Sequence, residues 1–143
     1  MVDIIVIGAG TAGMTAALYA LRNGKKVLLL EGECVGGQIA NSPRVENFPS
    51  IKAISGSEFS DRLFEQVKAL GAELEYEKVE NVVKNADGSF TVTTDCGSRN
   101  ARAVIIATGA KHKHVGADRE EELTGSGVSY CATCDAQFFR GKE

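Results

Sequence analysis

Residues 3–13 read Asp3-Ile4-Ile5-Val6-Ile7-Gly8-Ala9-Gly10-Thr11-Ala12-Gly13. The opening is a short, β-branched apolar run closed by a glycine, the pattern of a strand buried on both faces of a parallel sheet. A helix is predicted over 11–23, because Met14, Ala17, Leu18 and Leu21 recur at helical spacing. Gly24 stands where a helix C-terminal glycine belongs. Val27-Leu28-Leu29-Leu30 is a second apolar run, closed by Glu31. Strand, helix and strand in so short a stretch make the minimal right-handed parallel crossover.

The glycines of this crossover have separate duties. Gly8 permits the tight turn, Gly10 lets a pyrophosphate approach the backbone, and Gly13 lets helix and strand pack closely. The N-terminus of the helix, at Thr11 and Ala12, offers free N–H groups and a positive dipole to phosphate charge. Glu31, at the end of the second strand, can accept hydrogen bonds from a ribose 2′-OH and repels a 2′-phosphate. The site therefore suits FAD or NAD better than NADP. The chain holds 16 glycines, and seven lie within the first 37 residues, so much of the surplus belongs to this site. Two further stretches, Gly36-Gly37-Gln38 and Ala107-Thr108-Gly109, resemble segments common in flavoproteins and favour FAD.

The 32–55 stretch holds both prolines and is predicted to be an irregular loop, a length that in compact domains is usually functional. Ser55-Gly56-Ser57-Glu58 fits a capping box, with Ser55 as N-cap and Glu58 reaching back. Phe59, Leu63, Val67 and Leu70 form the apolar stripe of the helix that follows, and Gly71 stops it. Strands are predicted over 74–84, 90–94 and 101–107, with turns at Asp87-Gly88 and Cys96-Gly97. The result is a β-meander inserted into a parallel α/β frame. Residues 112–127 are polar and suggest a linker.

The net charge of −3 gives no basic excess for a nucleic acid or membrane partner. No apolar run reaches the ~20 residues of a membrane span. The N-terminus has no basic region and no cleavage site, so no export signal is expected and a cytoplasmic location is.

Cysteines number four, too few for a secreted disulfide scaffold. Cys131-Ala132-Thr133-Cys134-Asp135 is a Cys-x-x-Cys followed by an acid. Such a pair can close a tight disulfide and exchange it through a mixed disulfide, and the neighbouring Asp can pass a proton to a leaving thiolate. The competing reading is zinc, with His112 and His114 as the other two ligands of a tetrahedral site. A flavin motif in the same chain favours the redox reading, because flavin takes hydride and hands electrons to a disulfide. Cys34 and Cys96 have no evident role.

Ile7-Gly8-Ala9-Gly10-Thr11-Ala12-Gly13, Gly36-Gly37-Gln38-Ile39, Val45-Glu46-Asn47-Phe48-Pro49, Ala107-Thr108-Gly109-Ala110 and 127–135 together resemble the low-molecular-weight thioredoxin reductases of bacteria, in the pyridine nucleotide-disulfide oxidoreductase family. The resemblance implies that NADPH reduces FAD and that the flavin reduces the disulfide. It further implies that Cys134 faces the flavin, Cys131 attacks thioredoxin and Asp135 is the general acid. For FAD it implies Gly8, Gly10, Thr11, Ala12, Gly13, Glu31, Gly37, Gln38 and Asn47, the backbone of Val79, and Thr108-Gly109. Ala136 and Lys113 depart from the family's usual glycine and arginine.

The fold expected is α/β, a Rossmann-like FAD-binding βαβ sheet with an inserted β-meander, incomplete at the C-terminus. Residues 1–112 would be the first part of an FAD-binding domain. Residues 113–143 would be a linker and the start of an NADPH domain carrying the Cys-x-x-Cys. The family's second glycine motif does not occur within the 143 residues, so an N-terminal fragment without NADPH turnover of its own is expected. A homodimer is expected too, since a sheet missing a strand exposes an edge. Two alternatives stand: a related flavin reductase with a ferredoxin donor or a peroxide-reducing partner, and a non-catalytic zinc- or nucleotide-binding module.

Overall fold

The computed structural model of the chain describes residues 1–132 and 136–141. The chain divides into two compact units, Met1–Gly109 and Ala110–Glu143.

In the first unit, β1 (Val2–Ile7), α1 (Thr11–Arg22) and β2 (Val27–Leu30) form the crossover expected from residues 3–31. They are followed by α2 (Gly56–Ala69), β3 (Glu73–Glu75), β4 (Val79–Lys84), β5 (Phe90–Thr94) and β6 (Gly97–Ile106). The six strands make one sheet in the order β3-β2-β1-β6-β5-β4. The β1, β2, β3 and β6 pairings are parallel, whereas β4–β5 and β5–β6 are antiparallel.

Alternation along β1 serves two cores. Val6 joins Met14, Ala17, Leu29 and Val67 on the face covered by α1 and α2. Ile5 and Ile7 join Leu28, Leu30, Val92 and Ala101 on the other face. All four residues of β2 are buried, which is why its sequence is an unbroken apolar run.

The strand expected over 74–84 is two strands. β3 extends the parallel edge beside β2, and β4 pairs with β5 at the opposite edge. The four peptide steps from Glu75 to Val79 span at most about 14 Å, so the two edges must lie close and the sheet must curl. Val79 and Val82 of β4 accordingly pack on the Ile5–Leu30 core. Arg99 of β6 holds the curl, donating Nε–H to Glu75 at 2.8 Å and bonding Glu77 through its other arm. Glu77 is buried and also accepts the Thr94 hydroxyl at 2.7 Å. β6 starts four residues before the strand expected at 101, because Gly97–Ala101 pairs with β5 while Ala101–Ile106 pairs with β1.

Ser55 caps α2, its Oγ accepting the Glu58 N–H at 3.2 Å. The return half of the capping box is replaced: the Glu58 carboxylate takes Arg62 at 2.6 Å. Leu70, expected in the apolar stripe, is exposed at the C-cap.

In the second unit, the stretch expected to be a linker contains α3 (Glu120–Leu123). A 3-10 turn follows at Ala136–Phe139.

Candidate functional site

β1, β2 and β6 end level, with Ile7 opposite Leu30 on one side and Ile106 on the other. The Gly8 N–H donates to Leu30 O, and the Ala107 N–H to Ile7 O, both at 2.8 Å. The glycine turn, Glu31 and Thr108 are thereby gathered at one edge, where open α/β sheets bind ligands.

The three motif glycines differ in what demands them. Gly8 has φ +100, and a Cβ there would meet Ala107 O at 2.4 Å. A Cβ on Gly13 would lie 1.9 Å from Gly8 O. Gly8 is required by its left-handed backbone and the approach of Ala107 after β6, and Gly13 by the packing of α1 on the β1 turn. Gly10 is not. Its φ of −75 suits any residue, and the nearest atom to an added Cβ is Gly36 O at 3.8 Å. The protein therefore leaves space above Gly10 that its own fold does not use. No side chain caps α1, and its first internal bond is Met14 N–H to Gly10 O at 2.9 Å. The N–H groups of half-buried Thr11, exposed Ala12 and buried Gly13 precede that bond and point out of the helix end.

Glu31 is buried, and its carboxylate is partly engaged. Oε2 accepts the Ala9 N–H at 2.7 Å and Oε1 the Glu33 N–H at 2.8 Å. One acceptor position on each oxygen remains. Beyond the ribose contact expected from sequence, Glu31 pins the glycine turn to the end of β2.

The Gly36–Gly37 segment lies against that turn. Gly36 donates its N–H to Ala9 O at 2.8 Å and bridges Gly10. Gly37 and exposed Gln38 open a 3-10 helix, Gly37–Asn41. Sequence reasoning missed what holds this loop. Buried Ser60 donates its hydroxyl to Gly56 O at 2.8 Å, and a Cβ on Gly36 would strike Ser60 Oγ at 2.4 Å. The signal was available: a serine and a glycine interrupt the buried face of α2.

The remaining expected residues are spread around this centre. Thr108 adjoins Gly8, its Cα 3.3 Å from where a Gly8 Cβ would stand, and Gly109 follows at φ +72. Val79 follows Lys78, whose Cα lies 3.4 Å from a notional Cβ on Gly32, next to Glu31. Asn47 is exposed on a loop closed by the Val45–Ile54 bridge and anchored where Phe48 meets Phe59 edge-on at 4.9 Å. Among the described residues no hydrogen bond joins Asn47 to the glycine turn.

In the second unit, Cys131 is disulfide-bonded. Cys134 and Asp135 lie outside the described residues. Cys34 and Cys96 are exposed free thiols, and the charge of Asp95 raises the thiol pKa of Cys96. His112 stacks on Tyr130, and His114 places Nδ1 3.0 Å from Glu120. Among the described residues, no three His, Cys, Asp or Glu side chains converge as a metal site.

Glu120 was not anticipated. Its buried carboxylate accepts the N–H groups of Val115 at 3.0 Å, Gly116 at 2.6 Å and Ala117 at 3.2 Å. Burial pushes its pKa up, but the Gly116, Val115, His114 and Ala117 donors together hold it below the usual glutamate value.

The pyridine nucleotide-disulphide oxidoreductase model matches residues 2–143, and the chain belongs to that family. It is 48% identical to thioredoxin reductase of Bacillus subtilis over 143 residues, 99% of this chain and 44% of that protein. Against thioredoxin reductase of Treponema pallidum the identity is 44%, over 98% of this chain and 46% of that one. The crystal structure of thioredoxin reductase from Streptococcus pyogenes superposes with a TM-score of 0.88 at 42% identity, covering 97% of this chain and 45% of that one. The chain spans less than half the length of these relatives, and its α/β, Rossmann-like fold is theirs.

Proposed function

We propose that this chain carries the flavin site and redox disulfide of a thioredoxin reductase, in which electrons pass from NADPH through FAD and the Cys131/Cys134 pair to thioredoxin. The observation that carries the reading is the space above Gly10, which the fold leaves open beside an uncapped helix N-terminus. A pyrophosphate fits that cradle. The N–H groups of Thr11, Ala12 and Gly13 would hold its oxygens, and Gly37 and Gln38 would border it. The free acceptor positions of Glu31 suit ribose hydroxyls. Asn47, Thr108 and Gly109 would border the remainder, with the Val79 backbone near the adenine.

Bound FAD supplies a two-electron carrier. The chain's own residues bind and orient it, and they provide the acceptor. Reduction of the disulfide takes two electrons and leaves two thiols. Cys131 would then attack the thioredoxin disulfide while Asp135 manages the proton on the partner sulfur. We assign 1–112 to the flavin domain and 113–143 to the linker and the start of a nucleotide domain. A cytoplasmic homodimer fits this role, and among the described residues no helix is long and apolar enough to cross a membrane.

FAD titration of the chain tests the reading, with Gly10→Val as comparison. That side chain is tolerated by the fold but fills the cradle. Saturable flavin binding that Gly10→Val weakens at least tenfold is expected. Absence of binding by the parent chain, or equal binding by the variant, overturns the proposal.

A further inference from the structure

We propose that Arg99 is a positioning residue for the adenosine end of the flavin site, acting through the 75–78 segment that leads from β3 to β4. The proposal rests on the reading of Glu31 as the ribose contact of bound FAD.

The 75–78 segment is tied on both sides. On one side stands the β5–β6 hairpin. Arg99 donates Nε–H to the Glu75 carboxylate at 2.8 Å, and its other arm bonds Glu77. Thr94 donates its hydroxyl to Glu77 at 2.7 Å. Asp95 brackets Lys78: its carboxylate accepts the Lys78 N–H at 3.0 Å, and its own N–H donates to Lys78 O at 3.1 Å. On the other side stands the end of β2. The Glu31 N–H donates to Glu75 O at 3.1 Å. The Lys78 Cα lies 3.4 Å, and its Cβ and Cγ 3.5 Å, from a notional Cβ on Gly32. Glu31 in turn holds the Ala9 N–H of the glycine turn at 2.7 Å. A continuous run of contacts therefore leads from the Arg99 guanidinium through Glu75 to Glu31 and the glycine turn.

Charge makes Arg99 the member of this run that cannot be spared. Glu77 is buried, and among the described residues Arg99 is the only cation bonded to it. A buried carboxylate stripped of its cation either moves to water or stays at a heavy cost. Thr94 is a neutral donor and does not replace the lost charge. Glu77 stands between Glu75 and Lys78, so its movement toward water displaces the two residues that touch Glu31 and Gly32. Arg102 lies on the same strand, is exposed, and comes only within 3.9 Å of Asp3. It offers an equal loss of charge without this connection.

FAD and ADP are titrated separately into the full chain and its variants. ADP carries the adenosine and the pyrophosphate without the flavin ring. Arg99→Ala should weaken both by about tenfold, the scale of one charge-assisted hydrogen bond at Glu31. Adding Glu77→Gln to Arg99→Ala removes the buried charge and should bring both affinities back to within about threefold of the parent. Arg102→Ala should stay within about twofold. Amide exchange at Glu31 should quicken in Arg99→Ala while the β1 and β2 amides keep their protection. Parent-like affinity in Arg99→Ala overturns the proposal, as does a loss for FAD that ADP does not share. So does an equal loss in Arg102→Ala, which would assign the effect to overall charge. Failure of the double variant to recover, or loss of β1 and β2 protection in Arg99→Ala, would make the role merely structural and overturns it too. A parent chain that binds neither ligand fails the flavin reading itself, whereas a parent that binds both, matched by Arg99→Ala, fails this proposal alone.

Discussion

The two units order their loops by different physics. In Met1–Gly109 the 32–55 loop is laid on a sheet with a core on each face. Backbone bridges and close glycine contacts seat it there, with a small apolar cluster of Val45, Ile54 and Phe59 beneath. In Ala110–Glu143 the 114–117 segment is ordered by one carboxylate that collects three N–H groups. Apolar burial does not respond to protonation, and a carboxylate cap does. The first unit should therefore fail through cavities and clashes, and the second through charge.

The largest effect is expected in the first unit. Leu29 is fully buried between β1 and the two helices, and Leu29→Ala should cost about 2–5 kcal/mol. The denaturant midpoint of the sheet reports it. If the loss is below about 1 kcal/mol, the core does not carry this unit in the way described. Next comes the loop seat. Gly36→Ala adds a Cβ at φ +96 and 2.4 Å from Ser60 Oγ, which should cost about 1–3 kcal/mol. Flavin affinity should fall with it, since Gly36 backs the cradle at Gly10. Ser60→Ala in the same chain removes the struck oxygen and should restore part of both losses.

The second unit should respond to acid instead. The Glu120 pKa is lowered, so the stabilisation it supplies is complete above its unfolded value and is lost as pH falls through the lower folded one. Amide exchange at Val115, Gly116 and Ala117 should lose protection over that acid window, after intrinsic rates are removed. Glu120→Gln should expose the same three amides at neutral pH and leave the β1 and β2 amides unchanged. Persistent protection of 115–117 in the variant would show that something other than the carboxylate orders the segment.

The contrast also explains what could be read without coordinates. β1, α1, β2, the Ser55 cap and the Asp87-Gly88 turn are written in residues a few positions apart, where spacing and local chemistry suffice. The curl of the sheet is not local. It follows from β3 and β4 having partners at opposite edges, and a continuous strand over 74–84 satisfies the same valine pattern. The Arg99 contacts run from β6 to Glu75 of β3 and to Glu77 in the β3–β4 connection, and charged residues of that kind look like solvated surface. Glu120 was hidden for a different reason. It is one of three successive glutamates, and the partners that distinguish it are backbone N–H groups, which every non-proline residue carries. Glu121 and Glu122 are exposed, and Glu122 pairs with Arg119.

The smallest effect concerns strain, and among the described residues each unit holds one non-glycine residue in the left-handed region. Ser50 has φ 71 and Arg119 has φ 60. For an L-residue that conformation costs roughly 1–2 kcal/mol, and a glycine avoids it while adding freedom to the unfolded chain. Ser50 is exposed and makes no hydrogen bond among the described residues, so Ser50→Gly should stabilise the first unit by under about 1 kcal/mol. Arg119 is different. Arg119 is the N-cap of α3, one step from Glu120, and its guanidinium bonds both oxygens of Glu122. Arg119→Gly relieves the backbone but removes that pair. Protection at 115–117 should consequently fall or hold level, never rise, while Ser50→Gly raises the melting temperature of the sheet. A gain in both would mean that backbone strain, and not the carboxylate network, limits the order of the second unit.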